Sequence, residues 1–122
     1  MGKVLLCALL EDGGRALFVE KAFGESVKYS LPCVLADEAD DPVKALAAAV
    51  MAQTGIDVQV GSIVFTGKHN AGSRRRKQFV GALAFACSAK RYSTRVKSRW
   101  FRSADVSSLK LSREAEWLKA RR

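Results

Sequence analysis

Phosphate recognition is the chemistry for which this chain is best supplied. Arg74-Arg75-Arg76-Lys77 is its densest run of charge. Arginine forks match phosphate oxygens in both sign and geometry. Lys90, Arg91, Arg95, Lys97, Arg99 and Arg102 follow, with Tyr92 and Trp100 between them as surfaces on which bases stack. His69 is the single histidine and lies between Lys68 and Asn70, just ahead of the run. It is a candidate contact to a base or a phosphate, although a lone histidine at a strand end is more commonly a surface or hydrogen-bonding residue. One histidine supports no Ser-His-Asp or Cys-His constellation. A metal site would have to draw on Asp37, Glu38, Asp40 and Asp41, or on Glu114 and Glu116 near the end.

The charge is polarised along the chain. Residues 1 to 72 carry 6 basic and 9 acidic side chains, and residues 73 to 122 carry 15 and 3, so the net +9 arises as −3 and +12. Such asymmetry suits an anionic ligand or partner, and a solvated basic face is the plainer reading. The length, 122 residues, fits a single domain over 1–122. Hydrophobic residues at 48% and charged residues at 27% are ordinary for a globular protein. No apolar run reaches the roughly 20 residues that span a bilayer. The three cysteines, Cys7, Cys33 and Cys87, contain no C-x-x-C pair, which argues against a disulfide framework or a zinc site. A reducing, cytoplasmic location is expected. Cys7 and Cys87 read as buried small hydrophobes, and Cys33 falls in an expected loop.

The elements that must position these residues follow from periodicity and punctuation. Lys3 to Leu10 reads as a buried strand, Glu11 to Gly14 as a turn, and Arg15 to Lys21 as the second strand of a hairpin. Ala22 to Lys28 reads as a polar loop, Tyr29 to Pro32 as a short strand, and Val34 to Asp41 as an acidic loop. Asp40 or Asp41 can cap a helix that carries Pro42 in its first turn and stops at Gly55. Its apolar stripe is Val43, Leu46, Ala47, Val50 and Met51. Asp57 to Lys68 reads as strand with a bend at Gly61, and 68–77 as a basic loop. Gln78 to Ser88 reads as a central strand and Ser98 to Arg102 as a short one. Ser103 is placed to cap a single turn through Leu109, and Ser112 to cap a terminal helix. The class is α+β.

The stretch from Tyr29 to Ile56 resembles the Nudix box of the Nudix hydrolases, a loop-helix-loop of the form G-x5-E-x7-R-E-U-x-E-E-x-G-U, where U is aliphatic. Gly55 and Ile56 match its end, Val50 its aliphatic position and Asp40 its first Glu. Leu31-Pro32 matches the Leu-Pro that often precedes the box, and Ala45-Leu46 the small-aliphatic pair. The chemical positions depart from it. Val34 stands for the first Gly, Ala48-Ala49 for Arg-Glu and Ala52-Gln53 for Glu-Glu. The order of elements around the box is also similar to the family's. The resemblance implies an α/β/α sandwich with a mixed sheet and its loop-helix-loop at about 31–56.

In that family one helix face presents three glutamates that hold Mg²⁺ or Mn²⁺ against a substrate diphosphate. Offsets of 0, 3 and 4 put Ala49, Ala52 and Gln53 on that face here. Two alanines and one neutral amide cannot replace the charge a hard dication requires. No catalytic and no metal-ligating residue is therefore assigned, and Mg²⁺ or Mn²⁺ enters only if hydrolysis is retained. The expected function is a Nudix-fold domain that binds a nucleotide, RNA or another phosphorylated ligand through a basic rim. Arg74, Arg75, Arg76, Lys77 and His69 would contribute to that rim, with the 71–77 loop and the 89–97 connection flanking one pocket. A protein-interaction domain whose basic face meets an acidic partner is the alternative, and an active hydrolase with relocated ligands is the third reading.

Overall fold

Strand β1 (Lys3–Asp12) lies at the centre of a computed structural model that describes residues 2–23, 25–73, 75–91, 98–102, 106 and 109–120. Leu5 to Leu10 are six successive buried residues, the mark of a strand covered on both faces. After Asp12 the chain reverses through Gly13-Gly14 into β2 (Arg15–Phe23). Asp12 pairs with Arg15, and both glycines hold positive φ (58° and 78°), the two-residue hairpin turn that side chains strongly disfavour. The remaining strands are β3 (Ser26–Ser30), β4 (Cys33–Asp37), β5 (Asp57–Asn70), β6 (Phe79–Arg91) and β7 (Ser98–Arg102). One sheet runs β3-β2-β1-β6-β5, with β4 pairing β1 and β7 pairing β2. Only β1 and β6 run parallel among the strand pairs described; the others are antiparallel.

The alternation along β1 sorts the molecule into two cores. Leu6, Ala8 and Leu10 join Leu17, Phe85 and Cys87 under helix α1 (Pro42–Thr54), which supplies Leu46 and Val50. Leu5, Cys7 and Leu9 face the other way, with Ala16, Phe18, Leu31, Ala82 and Ala84. Leu111 and Ala115 cover that side, from a C-terminal segment with a 3-10 turn at Arg113–Ala115 and a single helical turn, α2 (Trp117–Ala120). The segment docks by backbone: Tyr29 N donates to Lys110 O (2.7 Å) and Ser112 N to Tyr29 O (2.9 Å). The helix-sheet-helix layering expected from the sequence is present.

Several local expectations are corrected. Val34 to Asp41 is not one acidic loop, because its first part is β4, pairing Lys3–Cys7 of β1 with Cys33–Asp37. Cys33 is therefore a strand residue. Ala22 to Lys28 is not a loop either: β2 continues to Phe23 and pairs with β3 from Ser26 onward. Cross-strand pairing overrides the polar composition of both stretches. The helix stripe also shifts. Leu46, Val50 and Thr54 are buried, whereas Val43 and Met51 are each 45% exposed. Ser112 meets the final turns through its backbone, its carbonyl accepting from Ala115 N at 3.0 Å. The turn assigned to Ser103 lies largely outside the described residues, as do Arg74, Tyr92, Arg95 and Lys97.

Truncating the buried and the exposed stripe positions should separate them. Leu46→Ala should lower the unfolding free energy by about 3 kcal/mol, while Met51→Ala should cost under about 1 kcal/mol. Urea titration followed by circular dichroism measures both, and equal costs would contradict the burial described.

Candidate functional site

Asp41 starts the helix that carries the box. Its carboxylate accepts from Val43 N (3.0 Å) and Lys44 N (3.4 Å), and Pro42 takes the first turn, where no N–H is needed. Gly55 N donates to Met51 O (2.8 Å) and closes the helix, and Thr54 Oγ1 donates to Val50 O (2.7 Å) while accepting from Ile56 N (3.2 Å). Three matched scaffold positions, Val50, Gly55 and Ile56, therefore take part in closing the helix.

The face at 49, 52 and 53 has a different use. Gln53 Nε2 donates to Cys33 O (2.7 Å), and Gln53 Oε1 accepts from Cys33 N (3.4 Å). Both ends of the amide are thus spent on one residue of β4. A carboxylate could accept from Cys33 N but could not donate to Cys33 O. Ala49 is half-buried and Ala52 exposed, and neither has a donor atom. Mg²⁺ and Mn²⁺ require several oxygen ligands, most of them charged. The residues on this face do not fit such an ion. Among the described residues, no three His, Cys, Asp or Glu side chains are grouped to hold a metal.

Four of the six other candidate acids are also engaged. Asp37 pairs with Lys3 (3.0 Å), Asp40 Oδ2 accepts from Asp37 N (3.3 Å), and Asp41 is the cap. Glu114 forms an ion pair with Lys21 and accepts from Ser30 Oγ (2.9 Å). Burial is the largest single influence and works to raise the Glu114 pKa, but the hydrogen bond from Lys21, the other hydrogen bonds to the carboxylate and the Lys21 charge together outweigh it, so the carboxyl is held down at about 2. Burial would likewise lower the Lys21 pKa, and the bond and charge of Glu114 raise it instead. Sequence reasoning considered Glu114 only as a source for a relocated metal site, assigned no ligand, and missed its partners, because Lys21 and Ser30 are 93 and 84 residues away.

Glu114 also lines a cavity of about 90 Å³ on the C-terminal side of the sheet. Its floor includes Leu5, Cys7 and Ala84, and its rim includes Lys68 and His69. Phe65 and Trp117 form one wall, stacked with ring centroids 4.5 Å apart and planes 7° from parallel. His69, nominated from the sequence, lies at this cavity. Phe65, Lys68 and Trp117 were not nominated for it; Phe65 and Lys68 stand just before His69 and were legible in principle, whereas Trp117 comes from the C-terminal segment and had no local signal.

The basic hairpin loop joins β5 to β6 beside that rim. Asn70 organises it: Oδ1 accepts from Gly72 N and Gln78 N, both at 3.0 Å, and Nδ2 donates to Ser73 O (3.3 Å). A Cβ at Gly72 would lie 2.1 Å from Arg76 O, so the loop closes only around glycine. Arg75, Arg76 and Lys77 are exposed on it. Ala89, Lys90 and Arg91, expected in the connection to residue 97, are the last residues of β6, and the remainder of that connection lies outside the described residues. Asn70 pairs with Phe79 at one end of the hairpin, and Asp57 with Arg91 at the other. At roughly 3.3 Å per residue, β6 separates Phe79, beside the basic loop, from Arg91 by about 40 Å.

No protein-family model and no curated protein matches the chain in sequence. Solved structures do match it. A NUDIX hydrolase from Nitrosomonas europaea superposes with a TM-score of 0.79 at 13% identity, over 97% of this chain and 86% of that one. The E. coli ORF135 protein gives 0.75 at 13% identity, over 97% and 86%. An ADP-ribose pyrophosphatase from Streptococcus suis gives 0.71 at 19%, over 98% and 88%. The chain is a Nudix-like domain in architecture. Identities this low carry the fold and leave the chemistry to the site.

Two outcomes follow from these contacts. Glu114 has a depressed pKa, so its contribution is complete above the ordinary value of 4.5 and disappears as pH falls towards 2. With solvent reaching the pair through Lys21, that contribution is about 1–2 kcal/mol. Glu114→Gln should remove the corresponding acid-side slope from a plot of unfolding free energy against pH; an unchanged slope would assign it elsewhere. Separately, Gln53→Glu should be less stable than the native chain by about 1–2 kcal/mol, because it sets a carboxylate against Cys33 O. Urea midpoints decide this, and a more stable Glu variant would refute the clamp.

Proposed function

We propose that this Nudix-like domain has lost metal-dependent diphosphate hydrolysis and binds a nucleotide or a related phosphorylated ligand without metal. The observation that carries the reading is the position of the aromatic-walled cavity, with Lys68 and His69 on its rim, next to the hairpin loop bearing Arg75, Arg76 and Lys77. Cations of this kind hold phosphate oxygens without catalytic machinery. Arg74 belongs to the same sequence run.

Size refines the proposal. Sites for whole small-molecule ligands run to roughly 300–1,000 Å³, against about 90 Å³ here. The cavity is scaled to one ring or one phosphate, and the rest of a nucleotide would lie outward over the basic loop. The similar structures include, by their descriptions, an ADP-ribose pyrophosphatase and a UDP-X diphosphatase. Adenosine and uridine diphosphates are therefore the first ligands to try. The Gln53 clamp and the alanines at 49 and 52 support the loss of hydrolysis.

Isothermal titration with ADP, UDP and inorganic phosphate at low salt is the test. Saturable binding of a nucleoside diphosphate without Mg²⁺, weakened about tenfold by Lys68→Ala or Arg76→Ala, is expected, since losing one charge-assisted contact costs about 1.4 kcal/mol or more. Mg²⁺- or Mn²⁺-dependent release of nucleoside monophosphate from ADP-ribose would overturn the loss of hydrolysis. Binding of RNA alone, falling steeply with salt, or of no phosphorylated compound at all, would overturn the ligand.

A further inference from the structure

Cys7 and Cys33 are directly opposite each other on the antiparallel pair β1 and β4. In such a pair, opposed residues alternate between those that exchange backbone hydrogen bonds and those that do not. Two bonds fix the phase here. Ala8 N donates to Pro32 O (2.9 Å), and Glu38 N donates to Gly2 O (3.1 Å). Even-numbered β1 residues thus sit in hydrogen-bonded pairs, and Cys7 with Cys33 is a non-hydrogen-bonded pair. The Gln53 clamp agrees, because the N–H and C=O of Cys33 point away from β1 and are taken up by the helix amide.

That phase brings the two thiols together. Non-hydrogen-bonded partners have Cα atoms about 4.5 Å apart with side chains on one face, at the near edge of the roughly 4.4–6.8 Å window that disulfides occupy. Both side chains belong to the core on the C-terminal side of the sheet, where Cys7 is buried and Cys33 is half-buried. Cys87 faces the opposite core and is out of reach of this pair. All three are free thiols in this structure.

From this register we propose that Cys7 and Cys33 are a redox-responsive pair, oxidised by a small hydroperoxide to a disulfide across β1 and β4. The surroundings give the two sulfurs different parts. A hydrogen bond from Cys7 holds the Cys33 thiol below its ordinary pKa, burial opposes this, and the Lys21 ammonium adds to the lowering. The same hydrogen bond, with burial, pushes the Cys7 thiol up. Cys33 is also the more exposed of the two and so the one a peroxide meets first. Its thiolate attacks one peroxide oxygen, the O–O bond breaks, and the leaving oxygen departs as water or alcohol after taking a proton. Cys33 is then a sulfenic acid. The Cys7 sulfur attacks the Cys33 sulfur, its proton leaves with the displaced hydroxide as water, and the S–S bond forms. Two thiols have lost two electrons and the peroxide has gained them. The proposal does not depend on what the cavity holds, although Cys7 is part of the cavity floor.

The intact, reduced chain is treated with stoichiometric hydrogen peroxide, alkylated and mapped by mass spectrometry. A product lighter by two hydrogens, a linked peptide pair containing Cys7 and Cys33, free Cys87 and full reversal by dithiothreitol are expected. Cys33→Ala should abolish the linkage, and Cys87→Ala should leave it unchanged. Phenylarsine oxide, which bridges two adjacent thiols through one arsenic, supplies a test on the native chain: one equivalent should bind and protect Cys7 and Cys33 from alkylation. Oxidation of Cys33 to sulfinic acid with Cys7 still free, linkage through Cys87, or no protection by the arsenical would each overturn the proposal.

Discussion

Everything in this molecule is arranged around the requirement that β1 be satisfied on both edges and both faces. Its backbone is paired by β6 on one side and by β4 and then β2 on the other. Its side chains, buried from Leu5 to Leu10, need a cover above and below. The period of two assigns Leu6, Ala8 and Leu10 to helix α1, and Leu5, Cys7 and Leu9 to the C-terminal segment. A shift of one residue would exchange the two sets. The same parity decides which β4 residues spend their backbone on β1 and which turn it outward, and so why Cys33 has groups left for Gln53.

Helix α1 is tied into this frame in two ways that do not depend on each other. One is hydrophobic, through Leu46 and Val50. The other is polar, through the two bonds between Gln53 and Cys33. In a helix face built for a dication, charge would occupy the second position. Here a neutral amide holds the neighbouring strand by both of its ends. An amide is suited to this because it offers a donor and an acceptor side by side, which a carboxylate does not.

On the far side of the sheet the polar element is the Lys21, Ser30 and Glu114 group. It anchors the C-terminal segment beside the cavity, and each member comes from a different part of the chain. An ion pair shielded to this degree needs its remaining hydrogen-bonding capacity met, and Ser30 supplies part of that. The cavity, the ion pair and the two thiols are therefore neighbours on one face, while the basic hairpin loop extends from its rim.

Much of the fold was legible in the amino-acid order. The glycine pair after Asp12, the cap and proline at Asp41-Pro42, the stop at Gly55 and the long runs of β1 and β6 are local signals, decided by backbone conformation and hydrophobic periodicity. The absence of carboxylates at 49, 52 and 53 was legible too, since helical spacing alone places those positions on one face. What stayed hidden were pairings between distant residues. Composition made Cys33–Asp37 look like a loop, and only β1 makes it a strand. Val43 and Met51 fit a buried stripe by period, yet the face that meets the sheet runs through Leu46, Val50 and Thr54 and leaves them exposed. The sequence by itself determined the first hairpin turn, the helix with both its ends, the long strands, and which chemistry the helix face lacks. Tertiary structure alone decided that Gln53 grips Cys33, that Glu114 belongs to Lys21, that Arg91 ends β6 far from the basic loop and that Cys7 faces Cys33. Each of those depends on strand register, and register is set by packing between residues far apart in the chain.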